Sequence, residues 1–97
     1  MQFVSFRHKG LERFVVVGDW SGIPPNSAAK LTRMLSFLEA ASHESAIAGC
    51  PLWHVHRLVG SPPGRWSLHV TRNWRLVFRV VPSAIPVIED LDLIDYH

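Results

Sequence analysis

Apolar positions in this chain recur first at helical spacing and then, beyond the stretch "HESAIAGCP", at strand spacing. Residues Gln2 to Phe6 alternate and predict a short strand. "RHKGLERF" follows as a short helix, with Leu11 and Phe14 three apart on one side. The β-branched run Val15-Val16-Val17 predicts that this helix weakens before the turn "GDWSGIPP". A second helix is the clearest element, because "PPNSAAKLTRMLSFLEAAS" places Leu31, Met34, Leu35, Leu38 and Ala41 on one stripe. Its prolines, with Asn26 or Ser27 nearby, supply the start signal, and Lys30, Arg33 and Glu39 face water. Four strands then follow in "LWHVHRL", "GRWSLHV", "WRLVFRVV" and "IPVIEDLDLIDY".

Parity fixes how the two middle strands pair. Trp66, Leu68 and Val70 form one apolar row, and Trp74, Leu76, Phe78 and Val80 form the other. A connection of Thr71-Arg72-Asn73 sets Val70 opposite Trp74, Leu68 opposite Leu76 and Trp66 opposite Phe78. A shorter turn would pair apolar with polar positions and bury arginine. The opposite face then carries His69 across from Arg75, Ser67 across from Val77 and Arg65 across from Arg79. Both amphipathic helices need the apolar face. The expected fold is therefore α+β: two N-terminal helices on one face of a mostly antiparallel twisted sheet, with an Arg/His face left open.

The 97 residues suit one domain, spanning 1–97, and 47% apolar against 19% charged residues is a globular composition. Arg7 and Lys9 interrupt the N-terminal stretch, so neither a secretory signal nor a membrane span is expected. The single Cys50 has no disulfide partner within the chain, which makes a reducing cytoplasm the expected setting. Net charge is only +2, yet its distribution is uneven. From Ser45 to Ile88 there is no acid, while Arg57, Arg65, Arg72, Arg75 and Arg79 fall there with His54, His56 and His69. Glu89, Asp90, Asp92 and Asp95 then crowd together. Every cation of that stretch is arginine, which grips phosphate bidentately, so a polyanionic partner is expected where a merely solvated face would use lysine as well.

No Gly-rich phosphate loop and no serine elbow appears, which removes support for nucleotide hydrolysis and acyl transfer. His54-x-His56 has the look of half a zinc site, but no Cys or carboxylate stands at metal-site spacing, so neither metal nor cofactor is expected. RNA cleavage by side chains alone fits better. Its 2′-hydroxyl must lose a proton, its phosphorane must be stabilised and its leaving 5′-oxygen must gain a proton. Imidazoles serve at either end, and arginines supply the electrostatic term. The chain closes on "IDYH", where Asp95 can orient an imidazole and Tyr96 can stack on a splayed base.

Five segments in order, "FRHKGLERF", "HRLVG", "GRWSLHV", "NWRLVFR" and "DYH", resemble the HigB type of host-inhibition toxin in the RelE/ParE superfamily. The resemblance runs from about Phe6 to His97. It implies an α+β ribonuclease that cuts messenger RNA in the ribosomal A site. It also implies a helix-turn-helix (HigA-type) antitoxin partner whose complex represses its own operator DNA. By position, the catalytic residues it implies are His56, Arg75, Asp95, Tyr96 and His97, with Arg57, Arg65, Arg79 and His69 as phosphate contacts. One departure stands out. Family members often read "HPLKG" or "HKLKG", with a functional lysine where this chain has Val59, and the acid after the glycine is Ser61 here. Arg57 on the same strand is the candidate to compensate. Two alternatives stay open: a gyrase-inhibiting toxin of the ParE branch, and a catalytically weakened toxin that acts as antitoxin and operator-complex partner.

Overall fold

The computed structural model describes residues 1–96 and opens on a two-residue strand, β1 (Gln2–Phe3). Helix α1 (Lys9–Val17) starts where His8 Nδ1 accepts a hydrogen bond from the Leu11 N–H at 2.9 Å. It runs through all three valines. Their propensity penalty is about a few tenths of a kcal/mol each, and Val15 packs against the core. Gly18 stops the helix instead: at φ 75° it takes the left-handed cap, its N–H bonding to Phe14 and that of Asp19 to Arg13. Helix α2 (Ala28–Ala40) buries Leu31, Met34, Leu35 and Leu38 as its stripe predicts. Ser27 precedes it fully buried, its hydroxyl donating to the Pro24 carbonyl at 2.5 Å rather than capping the helix. A third helix, α3 (Glu44–Ala48), lies inside "HESAIAGCP". It buries only Ile47, too little to leave a periodic signal.

Strands β2 (His56–Arg57), β3 (Arg65–His69), β4 (Trp74–Val81) and β5 (Val87–Asp95) complete a sheet of order β1-β5-β4-β3-β2. All neighbours are antiparallel except β1 and β5. The β3–β4 register is the one parity demands: Trp66 faces Phe78, Leu68 faces Leu76 and His69 faces Arg75. Strand β2 is shorter than the alternation in "LWHVHRL" predicts. Trp53 and His54 both have positive φ, 60° and 47°, so the backbone folds back before the ladder begins. The core gathers the apolar row of the sheet, including Leu68, Leu76 and Phe78, against Leu11, Leu31 and Leu38 of the helices.

Strand β5 carries a bulge. Val77 pairs with Asp92 and Arg79 with Glu89, so Asp90 and Leu91 share the place opposite Phe78, and Asp90 sits at φ 54°. The bulge receives the segment after β1. Asp90 N–H donates to Ser5 Oγ at 2.8 Å, Leu91 N–H to Ser5 O at 3.1 Å, and Arg7 N–H to Leu91 O at 2.9 Å. Arg7 is thereby delivered to the face without helices. That face is not open throughout. Ser67 is 1% and Val77 4% exposed, and Arg7, Pro62, Arg65, Arg79 and Ile94 gather around Val77. Its two ends stay accessible and hold the polar groups.

Candidate functional site

At the end of the sheet nearest the β3–β4 turn, side chains from four parts of the chain meet. The fold-back at Trp53 and His54 is held to β3 by the His69 N–H, which donates to the Trp53 carbonyl at 2.8 Å. It lays the His54 ring on that of His69, with centroids 4.8 Å apart and planes at 30°. His56 stands edge-on to His69 at 6.1 Å. His56 Nδ1 lies 3.0 Å from the His54 carbonyl oxygen. A carbonyl only accepts, so Nδ1 carries the proton of that bond, and in the neutral ring the basic lone pair is on Nε2. Burial, followed by the charge of Arg75 and by His54, His56 and Lys30, holds the His69 imidazole below its usual range.

Arg75 is fixed by the turn it leaves. Its Nη1 donates to the carbonyls of Thr71 (2.9 Å), Arg72 (3.0 Å) and Trp74 (3.2 Å). The guanidinium carbon lies 5.4 Å from the centroid of the Tyr96 ring, a cation–π arrangement. Tyr96 is itself anchored, its N–H donating to Asn73 O at 2.6 Å, and its ring is about half exposed. Asp95 pairs with Trp74 at the end of β5. His97 lies outside the described residues. His56, His69, Arg75 and Tyr96 thus occupy one end of one face.

The remaining arginines are distributed differently. Arg79 donates to Glu89 and, through Nε, to the Pro63 carbonyl at 2.9 Å. Arg65 stands beside it with a buried Nε that has no hydrogen-bond partner among the described residues. Arg7, Asp90 and Asp92 line the same cleft. Arg57 is on the other side of the sheet, because it pairs with Trp66 while His56 pairs with Ser67. Its guanidinium lies 4.9 Å over the Trp66 ring and 3.4 Å from Glu44, whose Oε2 also accepts from Trp66 Nε1 at 2.7 Å. Val59 is 96% exposed in the loop after β2 and contributes no polar atom. Arg57 therefore does not stand in for a lysine at that position.

Sequence reasoning placed His54 in the basic stretch and in a His-x-His pair but did not place it against His69, and gave Arg7 no part in the site. Alternation along a strand would have put His54 and His56 side by side; the fold-back stacks His54 on His69 instead. Among the described residues no group of three or more His, Cys, Asp or Glu side chains is arranged to hold a metal ion.

The arrangement sets an anchored guanidinium and an oriented imidazole at the same end of one face. A family model described as the RelE-like toxin of type II toxin–antitoxin system HigB matches residues 4–97. The chain belongs to this family. It is 30% identical over 93 residues to a Proteus vulgaris protein named Endoribonuclease HigB, covering 96% of this chain and 97% of that one. Among solved structures, a YoeB/ParE toxin from Agrobacterium tumefaciens superposes with a TM-score of 0.65 at 18% identity, covering 100% of this chain and 99% of that one. A chain of the YoeB–YefM complex from Staphylococcus aureus gives a TM-score of 0.55 at 15% identity, with coverage of 100% and 99%. At these identities the two structures show a shared fold. No helix among the described residues is long and apolar enough to cross a membrane.

Proposed function

We propose that this member of the HigB-like toxins is an endoribonuclease that cuts translated messenger RNA on the ribosome by acid–base attack of the 2′-hydroxyl. The observation that carries the reading is the bond between His56 Nδ1 and the His54 carbonyl, at the same end of the sheet as the anchored Arg75. His56 Nε2 takes the 2′-hydroxyl proton, and the 2′-oxygen then attacks phosphorus. Arg75 meets the charge that grows on the non-bridging oxygens, and being held in advance it needs no rearrangement at that moment. Tyr96 keeps the guanidinium in place and offers an exposed ring to a neighbouring base. By sequence position, Asp95 orients and His97 protonates the departing 5′-oxygen. His69 and Arg65 contact flanking phosphates. Arg79 does so only by sharing its charge with Glu89, and Arg57, on the other side of the sheet, meets RNA away from the cleavage site and only by sharing its charge with Glu44. The toxin acts in the cytoplasm and is held silent by a helix-turn-helix antitoxin of the HigA type, through which it reaches operator DNA.

Induced expression without antitoxin is expected to arrest growth and leave new 5′ ends within translated messages, while purified chain leaves gyrase supercoiling unchanged. Arg75→Ala is expected to lower cleavage by about 10²–10³-fold, the scale of one lost oxyanion donor. Cleavage is expected to follow a bell-shaped pH profile, since one group must be deprotonated as base and another protonated as acid. Wild-type cleavage with a flat profile would remove histidine proton transfer. Val59 favours a second reading, a toxin retained for antitoxin and operator binding, because no cation stands at that exposed position. A wild-type chain that binds antitoxin but neither arrests growth nor cuts messages would establish it.

A further inference from the structure

The stacked rings of His54 and His69 have no place in the proton transfers just described, and their surroundings are one-sided. The groups that act on His69 are Arg75 from β4, His54 from the fold-back, His56 from β2 and Lys30 from α2. Each is cationic or becomes so on protonation, and among the described residues no carboxylate joins them. The nearest acid along the ladder, Asp95, stands beside Trp74, one strand further out. Along the chain, residues 45–88 hold no Asp or Glu. Two other arginines are answered from within: Arg79 by Glu89 and Arg57 by Glu44. His54 is exposed and His69 half-buried, so the pair opens to solvent on one side.

We propose that the stacked His54–His69 pair is a proton-gated phosphodiester site, which takes the backbone phosphate of single-stranded RNA next to the one held by Arg75. When both rings are neutral they offer flat apolar faces and little charge. Protonation of His69 is opposed by burial and by its cationic neighbours until an anion arrives to offset them, so proton and phosphodiester bind together. The phosphodiester keeps a single negative charge across the neutral range, so every change in affinity comes from the protein. This rests on the RNA-cutting reading for its ligand, but binding needs neither ribosome nor chemistry.

The test is fluorescence anisotropy of a labelled, fully 2′-O-methylated RNA oligonucleotide, which cannot be cut, with the purified chain between pH 5.5 and 8 at fixed low salt. Affinity is expected to rise by up to about tenfold per unit as pH falls, the limit for one linked proton. His54→Gln and His69→Gln should flatten that slope. His54→Lys, which keeps a charge at every pH, should carry the tighter affinity up to pH 8. An oligonucleotide of the same sequence with a methylphosphonate backbone should lose the pH-dependent part, whereas a base-stacking platform would keep it. Affinity independent of pH, or a slope that survives in both glutamine variants, would overturn the site while leaving cleavage on the ribosome as it stands. Conversely, a chain that binds in this way yet never cuts messages would keep the site and lose the enzymatic reading.

Discussion

His69 is a histidine held away from its charged form, and that has a consequence for stability. Its folded-state pKa is depressed, by burial first and then by Arg75 and its neighbouring cations. The unfolded chain therefore takes up this proton more readily than the folded one. Its contribution is fully present above the unfolded imidazole value of about 6.5 and is lost as pH falls from there through the depressed folded value. Urea unfolding of the wild type should show stability declining below about pH 6.5, and His69→Gln should decline less over the same range. Equal slopes would mean that His69 is not the linked group. At this scale the sequence was informative about residue type and strand parity: His69 does face Arg75, and Arg65 does face Arg79. It said nothing of which arginines are already answered. The partners Glu44 and Glu89 stand 13 and 10 residues away from Arg57 and Arg79, on other elements.

The elements make their own demands. Gly10 of α1 meets Gly22 of the following turn so closely that a Cβ on Gly10 would lie 2.1 Å from the Gly22 carbonyl oxygen. Backbone cannot yield as a flexible side chain can. Gly10→Ala is expected to destabilise by about 1–3 kcal/mol in spite of alanine's better helix propensity, as a lowered midpoint in urea. Helix α3 is held to the sheet by Glu44, which accepts the indole N–H of the buried Trp66. Glu44→Ala should cost about 1–3 kcal/mol by leaving that donor without a partner. Glu44→Gln retains an acceptor and should cost less, since the exposed contact with Arg57 adds little. Comparison of the two unfolding midpoints checks this order. Helix α2 and the β3–β4 hairpin were legible because each carries a full apolar row. Helix α3, with Ile47 as its one buried residue, and the fold-back that shortens β2 were not.

Taken whole, the molecule places a helical layer on one face of the sheet and its chemistry at the ends of the other. The division between the faces was legible from alternation. The sealed centre was not, because Arg7, one of the residues around it, reaches that face through contacts between residues 5–7 and the distant positions 90 and 91. The same nonlocal joint decides how the chain tolerates loss of a residue. Removing one residue from an ordinary strand turns everything beyond it inside out. At Asp90 the opposite holds: without it, Leu91 would meet Phe78 alone, and Asp92 to Asp95 would keep their present partners. Deletion of Asp90 should therefore leave a folded chain with the far-ultraviolet signature of the wild type. Deletion of Leu93, three positions on, should abolish folding. The bulge thus confines the effect of losing that one residue to the seat for Arg7, leaving undisturbed the end of the sheet where Tyr96 meets Arg75.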